Sequence, residues 1–178
     1  MLKAKPFIKW VGGKSQLIEQ LEAQLPADFD NWKNVTYIEP FVGGGAMLFY
    51  MLQRYPHIRR AIINDINPDL CTCYRTVRDM PEQLIEALYE VEKTYLSLKT
   101  EEDRKSYFMS VREYYNEKKL NAIENTTLFF FLNRTCFNGL YRVNKKGLFN
   151  VPFGKYANPT ICDPGTIRKD SELLQQVE

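Results

Sequence analysis

A short apolar segment that runs into three consecutive glycines constrains the fold of this chain more than any other feature. Val35–Glu39 combines β-branched and aromatic residues, and the glycines stand at positions 43–45. This pattern predicts a buried strand, a tight turn and a helix over Ala46–Arg54. A second apolar run at 61–63 predicts another strand. A strand–helix–strand order implies a parallel sheet with a right-handed crossover.

The glycine turn predicts a place where the backbone passes close to a ligand, because glycine lacks a Cβ atom and the next helix begins there. A dinucleotide fingerprint would need a third glycine where Leu48 stands, which disfavours a hydride-transfer enzyme. Asp65 lies 20 residues beyond Gly45, where a carboxylate can accept hydrogen bonds from ribose hydroxyls. Glu39 favours a ligand with positive charge. Together these residues indicate a nucleoside cofactor, with an unrelated strand–turn–helix unit as the alternative.

A second glycine-containing loop precedes this unit. Gly13-Lys14-Ser15 matches the end of a phosphate-binding loop, but that loop requires a glycine at position 8, where Ile8 stands. A nucleoside triphosphatase is therefore disfavoured. Trp10 and Lys14 still bring a stacking surface and a cation into one loop, although a helix start with an incidental tryptophan would give the same pattern.

The second half of the chain predicts helices and then a basic segment. Apolar residues from Pro81 to about Lys119 recur at helical spacing with no strand signal. Residues 125–162 contain five bases and eight aromatic residues but no acid, although the chain has 22 acids in all. Such a mixture is typical of a surface that holds phosphates and reads bases, with a solvated turn beside a core strand as the alternative.

Cysteine and hydropathy patterns bear on metals and on location. Four cysteines and the single histidine, His57, lack zinc-ligand spacing, so we expect free thiols and no metal. No leader-like or membrane-spanning apolar run is present in the sequence, which predicts a soluble cytoplasmic protein without a membrane partner.

Taken in order, the motifs resemble those of the Dam-type (D12 class) site-specific DNA adenine methyltransferases. The resemblance extends to about Thr160. Its segments are Pro6-Phe-Ile-Lys-Trp10-Val-Gly12-Gly13-Lys14, Glu39-Pro-Phe41-Val-Gly43-Gly44-Gly45, Asn64-Asp65-Ile-Asn67, Asn133-Arg134, Phe137-Asn138-Gly139-Leu140-Tyr141-Arg142 and Phe149-Asn150-Val151-Pro152-Phe153-Gly154.

The resemblance implies an α/β fold: a Rossmann-like S-adenosylmethionine-dependent methyltransferase domain, with an incomplete parallel-sheet core here and an inserted helical target-recognition domain. The implied division is 1–75 for cofactor binding, 76–160 for DNA recognition and 161–178 for the return into the catalytic part. The implied reaction transfers a methyl group from S-adenosylmethionine to adenine N6 in double-stranded DNA, in GATC sites, with the target adenine flipped out of the helix.

The resemblance also implies roles for individual residues. Trp10 and Lys14 line the cofactor site, the glycine turn lies under the methionine part of the cofactor, and Asp65 holds the adenosine. Arg142 reads a guanine, while Leu140 and Pro152 make apolar base contacts. The complete implied cofactor set is Trp10, Lys14, Glu39, Phe41, Gly43, Gly45 and Asp65, and the DNA set is Arg134, Asn138, Leu140, Arg142, Lys146, Pro152, Lys155 and Tyr156.

One family feature is missing from these 178 residues. The D-P-P-Y-type motif that holds the target adenine needs two adjacent prolines, and none of the nine prolines is next to another. No catalytic residue is therefore assigned. Residues 171–178 carry no helix-ending signal, so we expect the chain to stop inside a helix as an inactive amino-terminal fragment. The alternative is a short protein that binds DNA and cofactor without catalysis.

Overall fold

The computed structural model describes residues 3–178, which combine a small parallel sheet with a larger helical part. The strands are β1 (Val35–Glu39) and β2 (Ile58–Ile63), and the helices are α1 (Ile18–Glu22), α2 (Ala46–Arg54), α3 (Pro68–Asp79), α4 (Pro81–Ser97), α5 (Glu101–Asn116), α6 (Ala122–Thr135) and α7 (Pro164–Leu174). Short 3-10 turns cover Lys14–Leu17, Phe29–Asn31 and Phe137–Gly139. Within residues 3–178, no helix is both long and apolar enough to cross a membrane.

The parallel pairing of β1 with β2 confirms the strand–helix–strand prediction, with α2 as the crossover. Glu39 pairs with Ile63, so both strands end at the same edge of the sheet. The backbone continues the pairing past this point, because the Asn64 N–H donates to the Glu39 carbonyl at 3.0 Å and the Val42 N–H donates to the Asn64 carbonyl at 3.0 Å. The glycine turn and the Asp65 loop therefore start side by side.

The carboxyl-terminal residues form a further sheet contact instead of a helix end. Helix α7 ends at Leu174, and residues 176–178 run parallel to β2. The Ala61 N–H donates to the Gln176 carbonyl at 2.9 Å, and the Glu178 N–H donates to the Ala61 carbonyl at 2.8 Å. The prediction of a helix through residue 178 is wrong, because the free edge of β2 offers these backbone groups partners that sequence periodicity does not reveal.

Helix α6 is the centre of the helical part, and α3, α4 and α5 pack around it. A capping box fixes its start, where Asn121 and Glu124 each bond the other's backbone N–H. Phenylalanines 129–131 are buried in the core, as expected. The long helical stretch predicted after Pro81 is divided between α4 and α5, since Thr100 caps a new helix by accepting the Asp103 N–H. The division into 1–75, 76–160 and 161–178 stays a prediction.

The amino-terminal segment lies across the helices and ends at the glycine turn. The Lys5 N–H donates to Asp170 Oδ1 at 3.0 Å on α7. Further along, Asn133 of α6 bonds both backbone groups of Lys9, accepting from its N–H and donating to its carbonyl, each at 2.8 Å. These bonds fix the segment that leads into Trp10.

Candidate functional site

An open pocket of about 320 Å³ lies between the loop that carries Trp10 and the glycine turn. Its volume falls within the range of about 300–1,000 Å³ that is usual for small-molecule sites. Most of the predicted cofactor residues meet here. The lining consists of Trp10, Val11, Gly12, Gly13, Lys14, Phe41, Val42, Gly43, Gly44, Gly45 and Asp65.

Gly43 and Gly44 allow the tryptophan side chain to lie directly on the turn. A Cβ atom on Gly43 would stand 2.9 Å from Trp10 Cδ1, and one on Gly44 would stand 3.0 Å from Trp10 Cβ. Gly45, the residue before α2, has a φ of +80°, and a Cβ there would lie 2.5 Å from the Tyr74 hydroxyl oxygen. A side chain at Gly43 or Gly44 would displace Trp10 from the pocket wall, and one at Gly45 would collide with the interior, which explains the glycine run.

Two side chains hold the Gly43 peptide from opposite sides. Its N–H donates to Asp65 Oδ2 at 3.0 Å, and the buried Tyr74 hydroxyl donates to its carbonyl at 2.8 Å. Burial, with the nearby Glu39 carboxylate as a further cause, raises the pKa of Tyr74 well above its usual value, so the hydroxyl stays a donor. Sequence reasoning missed Tyr74, which looks like an ordinary core residue on α3.

The Asp65 carboxylate has capacity for further partners. Its Oδ1 accepts the Asn67 N–H at 3.0 Å in addition to the Gly43 bond made by Oδ2. A carboxylate offers about four acceptor positions, so about two remain. Ile66 follows Asp65 with 93% of its surface exposed, and Phe41 is 74% exposed at the pocket. Phe41 was predicted from the sequence, whereas Ile66 was not singled out.

Glu39 lies behind Lys14 instead of in the pocket lining. Its side chain is only 6% exposed, and Oε1 accepts from Lys14 Nζ at 3.0 Å while Oε2 accepts from the Tyr37 hydroxyl at 2.9 Å. Lys14 Nζ also donates to the Phe41 carbonyl at 2.5 Å. An ammonium has three donors, so one is left for a ligand. Burial, and next the Glu39 charge, raises the pKa of Tyr37 above its usual range.

Residues 140–153, here called the basic hairpin, fold back through an antiparallel bridge between Val143 and Phe149. The turn at 142–147 is exposed, whereas Phe149 and Val151 are buried. Asn144 organises its turn by accepting the Lys146 and Leu148 N–H groups. A second bridge, between Cys136 and Phe153, anchors the hairpin to the end of α6.

Most predicted DNA residues lie on or beside the basic hairpin. Asn138 is exposed and left-handed with a φ of 54°, directly before it. Arg142 points back along the hairpin, where Nε donates to Asn150 Oδ1 at 2.8 Å and Nη2 donates to the Asn150 carbonyl at 3.1 Å. The other members at this surface are Leu140, Lys146, Pro152, Lys155 and Tyr156.

Arg134 is placed differently from the other bases. Its guanidinium donates to the Phe7 carbonyl at 2.7 Å, and burial lowers the pKa of Arg134. This position ties α6 to the amino-terminal segment, so we do not include Arg134 in the candidate DNA surface. Phe137, which was not selected from the sequence, lies next to Asn138 with 51% of its surface exposed.

Comparison with known proteins places these features in a family. Residues 10–178 match the family model of the D12 class N6 adenine-specific DNA methyltransferases. The chain is 47% identical to the type II methyltransferase M.MjaIII of Methanocaldococcus jannaschii, over 99% of this chain and 61% of that protein. It is 35% identical to a DNA adenine methylase of Vibrio cholerae and 33% identical to that of Escherichia coli, in both cases over 89% of this chain and 51% of the relative.

The chain thus spans between 51% and 61% of the length of these three relatives. The family match covers nearly all of the chain and includes both the pocket and the basic hairpin. This chain belongs to the D12 class N6 adenine-specific DNA methyltransferase family.

Proposed function

We propose that the chain binds S-adenosylmethionine in the pocket between Trp10 and the glycine turn. The proposal rests on one observation: the aromatic ring of Trp10, the ammonium of Lys14 and the carboxylate of Asp65 all line a pocket at the glycine turn. S-adenosylmethionine matches this set, because it combines a nucleoside with an amino acid that carries both charges.

The pocket residues have separate tasks in this proposal. The spare acceptor positions of Asp65 receive the ribose hydroxyls, and the third donor of Lys14 binds the carboxylate of the methionine part. Trp10, Phe41 and Ile66 offer exposed or half-buried apolar surface to the rest of the cofactor. Glu39 contributes indirectly, since its bond to Lys14 sets the position of the ammonium. The bound cofactor supplies an electrophilic methyl group on a sulfonium centre.

We further propose that the basic hairpin reads double-stranded DNA at GATC sites. The support is its composition of exposed bases beside apolar side chains, in a family of DNA methyltransferases. Arg142 has the fork geometry that binds a guanine edge, and Leu140 and Pro152 offer apolar base contacts. Lys146 and Lys155 serve the phosphates, although Lys155 is paired with Glu101 at 3.0 Å in the free protein.

Asn138, Tyr156 and the exposed Phe137 lie where the hairpin begins and ends, and we assign them to the DNA near the target adenine. Transfer of the methyl group to adenine N6 is the proposed activity of the whole protein, with the adenine flipped out of the duplex. The helical part around α6 then acts as the inserted target-recognition domain. A protein that binds DNA and cofactor without catalysis is the second candidate, because these 178 residues contain no adjacent prolines.

Calorimetric titration of S-adenosylmethionine into the full-length protein tests the pocket. Asp65→Ala removes the carboxylate expected to bind ribose, and each lost charge-assisted hydrogen bond costs about 1.5–3 kcal/mol. We expect the affinity to fall by a factor of about ten or more. Asp79→Ala is the control, because Asp79 is an acid at the far end of α3, the helix that follows Asp65, and its partner is Arg78. Wild-type affinity in Asp65→Ala would refute the assignment.

A further inference from the structure

The side chain of Tyr141 lies between the two proposed binding regions. Its chain neighbours, Leu140 and Arg142, belong to the proposed DNA surface. Its ring stacks on Trp10 of the cofactor pocket, with centroids 5.5 Å apart and planes 23° apart. The same ring stacks on Phe129 of α6 at 5.3 Å and 26°. One half-buried side chain of the hairpin is therefore in direct contact with a wall of the pocket.

The hydroxyl end of Tyr141 lies near Asn67, two residues beyond Asp65 in the chain. Tyr115 is its other polar neighbour. The Asn67 backbone N–H donates to Asp65 Oδ1 at 3.0 Å, which joins this end to the carboxylate proposed to hold the ribose. Burial, followed by the Asp69 charge, raises the pKa of Tyr141, so the hydroxyl remains protonated at neutral pH.

A second connection runs through the buried Asn133. Its Nδ2 donates to the Lys9 carbonyl at 2.8 Å and to the Gly139 carbonyl at 2.9 Å. Lys9 precedes Trp10, and Gly139 precedes the basic hairpin. The segment that carries Trp10 and the base of the hairpin are therefore fixed to the same amide, and the stack of Trp10 on Tyr141 is a further contact between them.

We propose that Tyr141 is a positioning residue that couples binding of S-adenosylmethionine to reading of the DNA sequence by Arg142. A cofactor that packs on Trp10 restricts the Trp10 ring, and through it Tyr141 and the adjoining Arg142. Binding of the first ligand then includes the loss of conformational entropy that comes with ordering the stack. The second ligand binds to an already ordered stack and therefore binds more tightly. The coupling is reciprocal, because DNA must raise the affinity for the cofactor by the same factor. This inference rests on the proposed function.

The test measures the coupling factor, defined as the ratio of duplex dissociation constants without and with saturating S-adenosylhomocysteine, which cannot donate a methyl group. The full-length wild type is compared with Tyr141→Leu, which removes the aromatic ring, and with Tyr141→Phe, which keeps it. Tyr107→Leu is the control for general loss of packing, since Tyr107 contacts Phe131 at 5.5 Å in the helical part. The DNA is a GATC duplex and the same duplex with the guanine replaced.

We expect Tyr141→Leu to lower the coupling factor on the GATC duplex by about five-fold or more, because it removes two aromatic stacks. Tyr141→Phe and Tyr107→Leu should retain the wild-type factor. Discrimination against the substituted duplex should fall in Tyr141→Leu alone, which a loss of overall stability would not produce.

Trp10 fluorescence gives a second readout. These 178 residues contain two tryptophans, so Trp32→Phe leaves Trp10 as the single reporter among them. Adding the GATC duplex without cofactor should change its emission, and Tyr141→Leu should abolish the change. Wild-type coupling and an unchanged emission response in Tyr141→Leu would overturn the role of Tyr141, as would a wild type that binds both ligands independently. A wild type that fails to bind either ligand would instead overturn the proposed function.

Discussion

Replacing Gly45 with alanine should destabilise the protein more than the same substitution at Gly147. Both glycines have left-handed backbones, with φ of +80° and +75°. Alanine in that region costs about 1–2 kcal/mol at either position. The difference lies in the surroundings, because nothing lies within 4 Å of a Cβ atom added at Gly147. Gly147→Ala is therefore a control with the same backbone strain and no collision.

At Gly45 the added methyl group collides with the interior. It would lie 2.5 Å from the Tyr74 hydroxyl oxygen and 3.0 Å from Phe49 Cε2. Overpacking of this kind costs about 1–3 kcal/mol beyond the backbone strain. We expect a total loss of about 2–5 kcal/mol for Gly45→Ala, against about 1–2 kcal/mol for Gly147→Ala. Urea denaturation measures both changes in the free energy of unfolding, provided that the dependence of this free energy on urea concentration stays the same.

Tyr74→Phe tests whether the hydroxyl causes the collision. The substitution alone removes the donor to the Gly43 carbonyl and should cost about 1–3 kcal/mol. In Gly45→Ala/Tyr74→Phe the oxygen is absent, so the double variant should be more stable than the sum of the single losses predicts, by about 0.5–3 kcal/mol. Equal losses at Gly45 and Gly147, or strict additivity in the double variant, would refute this explanation of the turn.

Three further predictions concern other parts of the molecule. Arg142→Ala should reduce discrimination at one base pair by about 1–3 kcal/mol, whereas Lys146→Ala should weaken binding to all duplexes and lower the dependence of affinity on salt concentration. Filter binding at two salt concentrations distinguishes the two effects, and an equal loss of affinity on every duplex for Arg142→Ala would contradict its role. Burial raises the pKa of Asp170 from 3.8 to about 8, so the folded protein keeps a proton that the unfolded chain releases, and stability should fall as pH rises through that window. Asp170→Asn, which keeps an acceptor for the Lys5 N–H, should remove this fall; an unchanged pH profile of urea midpoints would show that Asp170 is ionised in the fold. The isolated 178-residue chain should transfer no tritiated methyl group to GATC DNA, because no D-P-P-Y-type motif is present to orient and polarise the target amino group, and turnover above background would show that another acid does so.

Local sequence signals predicted the elements around the pocket well. The bounds of β1 and α2 agree with the prediction, because a β-branched run, a glycine turn and a helical apolar pattern follow one another within 20 residues. The break between α4 and α5 was missed, since apolar spacing continues across it. The cap that explains the break, Thr100 with Asp103 three residues later, was visible in the sequence.

Other features depend on contacts between distant residues and could not be predicted from local pattern. Lys14 pairs with Glu39 across 25 positions, which moves Glu39 out of the pocket lining. The Phe7 carbonyl binds Arg134, which the family resemblance assigns to the DNA-binding set. Residues 176–178 pair with β2 because an unpaired strand edge is available there. In each case a partner remote in sequence decides where the side chain or backbone lies.

The pairing of Arg142 with Asn150 limits how strictly the proposed guanine contact can discriminate. In the free protein the guanidinium already has two acceptors on Asn150. Contact with a guanine therefore exchanges one set of hydrogen bonds for another, and a wrong base lets the arginine return to Asn150 instead of leaving it unpaired. The penalty for a mismatch is then the difference between two satisfied states, which is smaller than the cost of burying an unsatisfied charge. Asn150→Ala would remove the side-chain acceptor and leave only the backbone carbonyl, which should make the reader less tolerant of mismatches.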